Sequence, residues 1–315
     1  MTRSAEPPRN AVVITCDQAH LAFAAMTFHA VARLHPHRRF DLLLATTADF
    51  TLPPVLADMG VTLLRIPRPA GSEALKSTRL PFEAYLRLWV PERLVGRYDR
   101  LIYMDTDMLV QRPGLDALFG VDLGPHPLGA VLERPMWSRP GRNARDFRYM
   151  GLPPAPYFNS GLMLIDIAAW QQGGLLQRSL DLAAAEQDRL QYHDQSLLNV
   201  VLHRNWAQLH PAWNWQWMLH HPMAEPLHDP VVLHFFGPTK PWNDPRGLLP
   251  ARVRAEYALF LQRHFPATAI EQGPPRGRLP SPGLARLALR QWRHGRPFAR
   301  YLRRFDSEFD TLLQG

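Results

Sequence analysis

The chain reads as an α/β domain on a sheet that begins parallel and doubly wound, followed by a basic helical arm. Three observations predict this. Short apolar runs of strand length recur at residues 10–17, 40–45 and 61–66. Between the first two, Leu21, Ala24, Phe28 and Val31 fall at helical spacing, and strand–helix–strand order implies parallel neighbours. The runs also end on polar or acidic residues, at the sheet edge where open α/β folds bind ligands.

A chain of 315 residues, 46% of them hydrophobic, can bury a full core as one large domain or two smaller ones. No stretch approaches the ~20 continuous apolar residues of a membrane span. Residues 1–10 are polar and proline-containing, without an apolar signal core. Cys16 is the only cysteine, which excludes an intramolecular disulfide and fits a reducing compartment, so the cytoplasm is the expected location. The formal charge is +8 and arginine carries it, because Lys76 and Lys240 are the only lysines. Such a balance favours anionic partners: phosphates, nucleic acid or acidic membrane.

The first strand, residues 10–17, places Thr15 and Asp17 at its carboxyl edge, in the crevice a nucleotide would occupy. From the residues alone, Asp17 reads first as a helix N-cap. Residues 77–94 read as a helix stopped near Pro91, with Arg79 and Arg87 either snorkelling or aimed at an anion. In residues 98–110 an apolar run stops abruptly at Asp105-Thr106-Asp107 and then resumes. Carboxylates two apart on an extended chain project to the same side, and they repel unless a cation or proton lies between them. The pair therefore reads as a divalent-metal site, against the alternative of a solvated turn. Residues 129–133 form a short strand ending on Glu133, and residues 135–157 a long surface loop of the kind that covers sites.

Residues 157–166, including Asn159, are a turn feeding an apolar strand, and residues 167–190 are largely helical. His193-Asp194-Gln195-Ser196 opens a further helix, in which Asp194 is either a cap or a site residue. Trp206, Trp213, Trp215 and Trp217 are either core packing or a sugar-facing platform. Residues 231–242 are a strand that delivers His234, with Gly237 permitting a close approach and Lys240 following.

Five blocks in this order resemble glycosyltransferase family 8, the group of glycogenin and the bacterial lipopolysaccharide galactosyl- and glucosyltransferases. They are Val13-Ile14-Thr15-Cys16-Asp17, residues 98–110, Phe158-Asn159-Ser160-Gly161 through Asp166, Asp194-Gln195-Ser196-Leu197-Leu198-Asn199, and the run from His234 through Gly237 and Lys240 to Trp242. The resemblance implies a glycosyltransferase-A fold, a Rossmann-like mixed central sheet flanked by helices. It also implies retaining transfer of a hexose, glucose or galactose, from a UDP-sugar donor to a glycan or glycolipid acceptor such as lipopolysaccharide or another surface polysaccharide.

Carried over, Asp105, Asp107 and His234 would bind Mn²⁺ or Mg²⁺, with Thr106 beside them in the donor site. Lys240 and Gly237 would contact the diphosphate and Thr15 and Asp17 the uridine. Arg87, Asn159, Asp194 and Gln195 would hold the donor sugar, and Glu133 would face the acceptor. Gln195, Asp194 and Lys240 would be the catalytic set. The sequence departs from the family after Asp17, where Gln18, Ala19 and His20 stand, and at Ser196, which replaces an acidic residue and bears on sugar choice.

The catalytic domain is expected over residues 1–270. From 271 to 315 the composition turns to a proline- and glycine-rich linker and then to arginines interleaved with Leu284, Leu287, Trp292, Phe298, Tyr301 and Phe305. That pattern suits a helix lying on an anionic membrane, and hence a peripheral enzyme on the inner face of the cytoplasmic membrane. A helix folded back on the catalytic domain and broken at residues 295–297 would look the same. No nucleic-acid motif accompanies the charge. A haloacid-dehalogenase phosphatase is excluded by Leu109, where Thr or Val is required. A nucleotidyltransferase, or a sugar-nucleotide-binding protein without activity, would share the fold.

Overall fold

A computed structural model describes residues 9–75, 81–134, 136, 142–217, 224–274 and 281–313. Its strands, in chain order, are β1 Asn10–Thr15, β2 Phe40–Thr46, β3 Val61–Arg65, β4 Arg100–Met104, β5 Met108–Val110, β6 Leu128–Leu132 and β7 Phe158–Asp166. They continue with β8 Ala207–Leu209, β9 Trp215–Gln216, β10 Val232–His234, β11 Asn243–Asp244, β12 Glu271–Gln272 and β13 Thr311–Leu312. The main sheet has eight strands in the order β13-β8-β6-β7-β4-β1-β2-β3. β1 pairs in parallel with β2 and β4, and β2 with β3, as strand–helix–strand order predicts. β7 then inserts antiparallel between β4 and β6, so the sheet is mixed. β1 and β7 are buried almost end to end because helices or loops cover both faces, and near-continuous apolar runs are the signature of such strands.

The acidic stretch departs from the expected single strand. β4 belongs to the main sheet, whereas β5 belongs to a separate three-stranded sheet, β5-β10-β9. Asp105-Thr106-Asp107 is the turn between the two sheets, so the carboxylates converge through a bend and not through the alternation of an extended chain. The helix expected at 77–94 is instead a 3-10 segment, Phe82–Leu88, followed by the short helix Val90–Leu94, and the part at 76–80, with Arg79, lies outside the described residues. The helices Ile167–Gln172, Leu175–Glu186 and His193–Val201 follow the predicted pattern.

All four clustered tryptophans are buried: Trp206 is 1% exposed, Trp213 0%, Trp215 2% and Trp217 6%. They are core, and no sugar-facing platform forms. The C-terminal helix Ser281–Leu302 runs through Pro297 without the expected break. Its second half docks on the catalytic fold, with Phe298 edge-on to Trp215 and Phe305 edge-on to His210. β13 then joins the main sheet antiparallel to β8. β12 pairs with β11, so the chain just past residue 270 is still fastened to the catalytic fold. Among the described residues no helix is long and apolar enough to cross a membrane.

Candidate active site

Backbone pairing explains why two distant motifs meet. His234, the last residue of β10, pairs with Met108, the first of β5, directly after Asp107. The amide of Phe235 donates to the Asp107 carbonyl (3.0 Å) and that of Asp105 to the Gly161 carbonyl (2.9 Å). Gly161 leaves room for the imidazole: a Cβ there would lie 2.5 Å from His234 Cε1. One ligand atom each from Asp105, Asp107 and His234 fall within 4.8 Å of one another.

The neighbouring polar groups decide what this cluster can hold. Gly161 N–H donates to Asn159 Oδ1 (3.1 Å), which also accepts Asn214 Nδ2 (2.9 Å). That fixes Asn214 with its Oδ1 toward His234 Nδ1, 3.0 Å away. An amide oxygen can only accept, so Nδ1 carries the hydrogen, and in the neutral ring Nε2 keeps its lone pair. Nε2 faces Asp107 Oδ1 at 3.3 Å, and that oxygen is buried and accepts no hydrogen bond. Two lone pairs held face to face are unfavourable unless a proton or a metal cation lies between them. Octahedral ligands about 2.1 Å from an ion are themselves about 3 Å apart, so the donor set fits a divalent metal. Oriented imidazoles of this kind are typical of metal ligands.

Lys240 occupies the other side of the same carboxylate. Its ammonium pairs with Asp107 Oδ2 and donates to the Phe235 carbonyl. Burial disfavours ionised Asp107, but Lys240 and His234 more than offset it and hold the carboxyl well below its usual range. Arg87, 5% exposed, is the second hub. It donates from Nη2 to Asp105 Oδ1 (2.8 Å) and from Nη1 to Ser160 O and Oγ (both 3.0 Å), and its Nε lies 2.9 Å from Asp194 Oδ2. Burial opposes its charge, yet Asp105 and Asp194 raise its pKa further. Asp194 itself is raised, because burial outweighs the pairing with Arg87. Asp194 therefore does not cap its helix; it closes an ion pair inside the site.

These residues line one cavity of about 490 Å³, together with Thr15, Thr106, Glu133, Asn159, Gln195 and Gly237. Thr15 Oγ1 meets Tyr103 OH at 3.0 Å, and Tyr103 donates to Asp105 Oδ1 at 3.0 Å. Gly237 has φ +83°, a conformation that favours glycine. Gln195 Oε1 accepts from Ser160 N–H (3.1 Å) and its Nε2 donates to Glu133 Oε2 (3.2 Å), which also accepts from Asn159 Nδ2 (3.0 Å). Glu133 thus stands beside Gln195.

Asp17 is placed differently from its neighbours. It accepts from the His20 amide (2.9 Å) and ring Nδ1 (2.7 Å), capping the turn Gln18–His20, and does not line the cavity, whereas Cys16 and His20 do. Ser196 is fully buried behind the cavity, donating to Asp146 Oδ2 (2.6 Å) and 3.1 Å from Tyr157 OH. Asp146 reaches it from a helix fifty residues earlier in the chain, and Ser196 does not line the cavity. Asn214, Tyr103 and Asp146 carried no signal beyond their place in apolar or loop segments.

The model of glycosyl transferase family 8 matches residues 66–245. Among curated relatives, General stress protein A of Bacillus subtilis (strain 168) is 27% identical over 213 residues, covering 63% of this chain and 70% of that protein. Glycosyltransferase GlyF of Streptococcus pneumoniae (serotype 4) is 30% identical over 168 residues, 51% of this chain and 38% of its own length. Lipopolysaccharide glucosyltransferase WaaO of Escherichia coli (strain K12) is 23% identical over 167 residues, 51% and 49% respectively. The chain thus spans only part of these relatives. The solved galactosyltransferase LgtC, in complex with donor and acceptor sugar analogues, superposes with a TM-score of 0.65 at 20% identity, covering 88% of this chain and 99% of that one, a likeness of fold. With the family match running over more than half of the 315 residues, the chain belongs to glycosyl transferase family 8.

Proposed function

We propose that the protein is a retaining, metal-dependent hexosyltransferase, moving glucose or galactose from a UDP-sugar to a glycan or glycolipid acceptor of the lipopolysaccharide type. The observation that carries the reading is the orphaned Asp107 Oδ1 facing the oriented Nε2 of His234, with Asp105 alongside. Asp105, Asp107 and His234 would hold the ion; oxygen ligands suit Mg²⁺ or Mn²⁺, and the imidazole moves the balance toward Mn²⁺. When bound, a divalent ion neutralises charge developing on a diphosphate leaving group. Lys240 adds a fixed ammonium on the same side, while Gly237 lets the backbone approach the phosphates. Arg87, Asn159 and Asp194 hold the donor sugar, with Thr15 at the nucleoside end and Asp17 acting there only through His20.

Gln195 is an amide, a poor nucleophile, and Asp194 is tied to Arg87. Both facts favour front-face attack, in which the departing phosphate accepts the acceptor hydroxyl's proton and Gln195 Oε1 stabilises positive charge on the sugar. Glu133 then orients the acceptor. A covalent glycosyl adduct trapped on Asp194 or Glu133 would overturn this route.

Leu284, Leu289 and Trp292 are exposed on the first half of the C-terminal helix, amid Arg286 and Arg293. This half suits an anionic membrane face, giving a peripheral location on the cytoplasmic membrane. Co-sedimentation with phosphatidylglycerol vesicles should be lost when these three apolar residues become serine, and retention of binding would refute it. The central test is UDP release from UDP-glucose, UDP-galactose and their N-acetyl forms with Mn²⁺. We expect UDP from at least one hexose donor, abolished by EDTA and restored by Mn²⁺. Pyrophosphate as product would indicate a nucleotidyltransferase, and binding without turnover a non-catalytic protein.

A further inference from the structure

On the acceptor side the site does not end at Glu133. A narrow cavity of about 60 Å³ shares Glu133, Gln191 and Tyr192 with the main one, and beyond it lies a third of about 320 Å³ that shares Met136 and Arg142 with the second. The three are neighbours that share walls, and the series leads away from Lys240 toward the C-terminal helix. The third cavity has the volume of a small-molecule site. Its apolar lining includes Leu132, Pro154 and Pro297, and Arg142, Arg300 and Arg304 give it a basic edge.

Two features make this more than a basic patch. Among the described residues, no Asp or Glu lines the cavity, and none of the three arginines pairs with a carboxylate. Elsewhere in the site the buried or half-buried cations Arg87 and Lys240 are each paired. The wall is also built from distant parts of the chain. Pro297, Arg300 and Tyr301 of the helix and Arg304 of the turn after it line one side, and Tyr301 fixes that side by burial and by its hydroxyl on Gln208 Oε1 (3.4 Å). Like charges around one concavity repel, and an anion among them removes that cost. Planar guanidinium groups match a phosphate by paired hydrogen bonds.

We propose that this cavity is an acceptor subsite for a phosphate group carried on the glycan, so that the enzyme selects phosphorylated acceptors. The inference rests on the glycosyltransferase reading but is tested by binding, which needs no turnover. The probe is deacylated lipopolysaccharide core oligosaccharide before and after phosphatase treatment, titrated calorimetrically into wild type and Arg300→Glu/Arg304→Glu. Wild type should bind the phosphorylated form about tenfold more tightly, and the double variant should show no difference. Equal binding of both forms by wild type would overturn the proposal, as would a preference that survives charge reversal.

Two further arms identify the source of the anion. Inorganic phosphate at equal concentration should not displace the oligosaccharide, since the glycan supplies the remaining contacts; full displacement would mean a free-anion site. Phosphatidylglycerol vesicles should bind wild type and double variant alike; a loss confined to vesicles would make the cavity a lipid site and sink the acceptor reading. Should UDP release fail for every donor while the tenfold binding difference stands, the catalytic proposal falls and the subsite remains.

Discussion

The donor end and the acceptor end of this site are built on opposite plans. Around Asp105, Asp107 and His234 the charged and polar groups are matched apart from Asp107 Oδ1: Arg87 joins two carboxylates, Lys240 a third, and an amide relay from Gly161 through Asn159 and Asn214 fixes one ring nitrogen. In the cavity beside the C-terminal helix Arg142, Arg300 and Arg304 stand exposed, with no carboxylate among its described lining residues. A matched network holds geometry before anything binds, which suits a step whose charge develops at one place. An unmatched basic edge leaves its favourable interactions for the ligand to complete. One end is preorganised for chemistry and the other is open for selection.

Removing a charge from the matched end should have the largest effect. Lys240→Ala is expected to lower turnover about a hundredfold, on the order of 3 kcal/mol of barrier for one preorganised charged contact. Turnover is read as UDP release at saturating donor. An unchanged rate would mean that Lys240 serves only to neutralise Asp107, and the contrast between the two ends would weaken.

The relay gives the next test. Asn214→Leu keeps the volume but lets His234 rotate or change tautomer, and Mn²⁺ affinity should fall about 10- to 100-fold, the usual cost of losing an outer-shell partner. Asn214→Asp still accepts the Nδ1 hydrogen and should keep most of the affinity. Direct Mn²⁺ titration reads both. Equal losses in the two variants would show that Asn214 acts through packing alone.

Asp146 sharpens the comparison from the wall of the narrow middle cavity. It accepts from Tyr157 OH (2.8 Å), Ser196 Oγ (2.6 Å) and the Gln191 amide (3.0 Å), tying the segment before β7 to the helix that bears Gln195. Asp146→Ala leaves buried donors unsatisfied and should cost about 2 kcal/mol of stability by urea unfolding. Because the tie lies under the acceptor side, acceptor KM should rise more than donor KM. The reverse split would place Asp146 with the donor network instead.

Legibility in the sequence divides along the same line. Asp105-Thr106-Asp107, Asp194-Gln195 and the run from His234 to Lys240 are contiguous, so their residue types announce a role before any fold is known. The parallel opening of the sheet was equally visible, because apolar runs and helical spacing are local. What was hidden depends on contacts across the chain. Asn214 acts on His234 and Asn159, and Asp146 accepts from Ser196, with nothing in either residue's surroundings to mark it. The two-sheet bend at the acidic motif was missed because β4 and β5 are nearly continuous in sequence. The C-terminal helix showed an apolar face without showing what covers it: the catalytic fold covers that of the second half, and the membrane reading of the first half is a proposal.

The docked half of that helix carries the smallest expected effect, a pH dependence. Burial pushes His210 down to about 4 from an ordinary 6.5; His228 and Arg112 act in the same direction, and Glu308 and Asp310 oppose it. Burial also lowers His228, which packs on Phe298. Folded His210 thus binds fewer protons than unfolded, so its contribution to stability is complete above pH 6.5 and is lost as pH falls toward about 4. The structural cause is visible, since His210 Nδ1 accepts the Ala212 amide (3.2 Å) and cannot do so once protonated. The ring also abuts Phe305, and Trp213 in the capped turn donates to the Glu308 carbonyl. Protection factors over residues 298–313, taken relative to the slower intrinsic exchange in acid, should therefore fall at pH 5 relative to pH 7.5, while those of β1 and β4 stay unchanged. His210→Asn keeps an N-cap acceptor without the titration, so it should remove most of this acid response and leave the remainder to His228. An acid response of full size in that variant would place the sensitivity elsewhere in the docking surface.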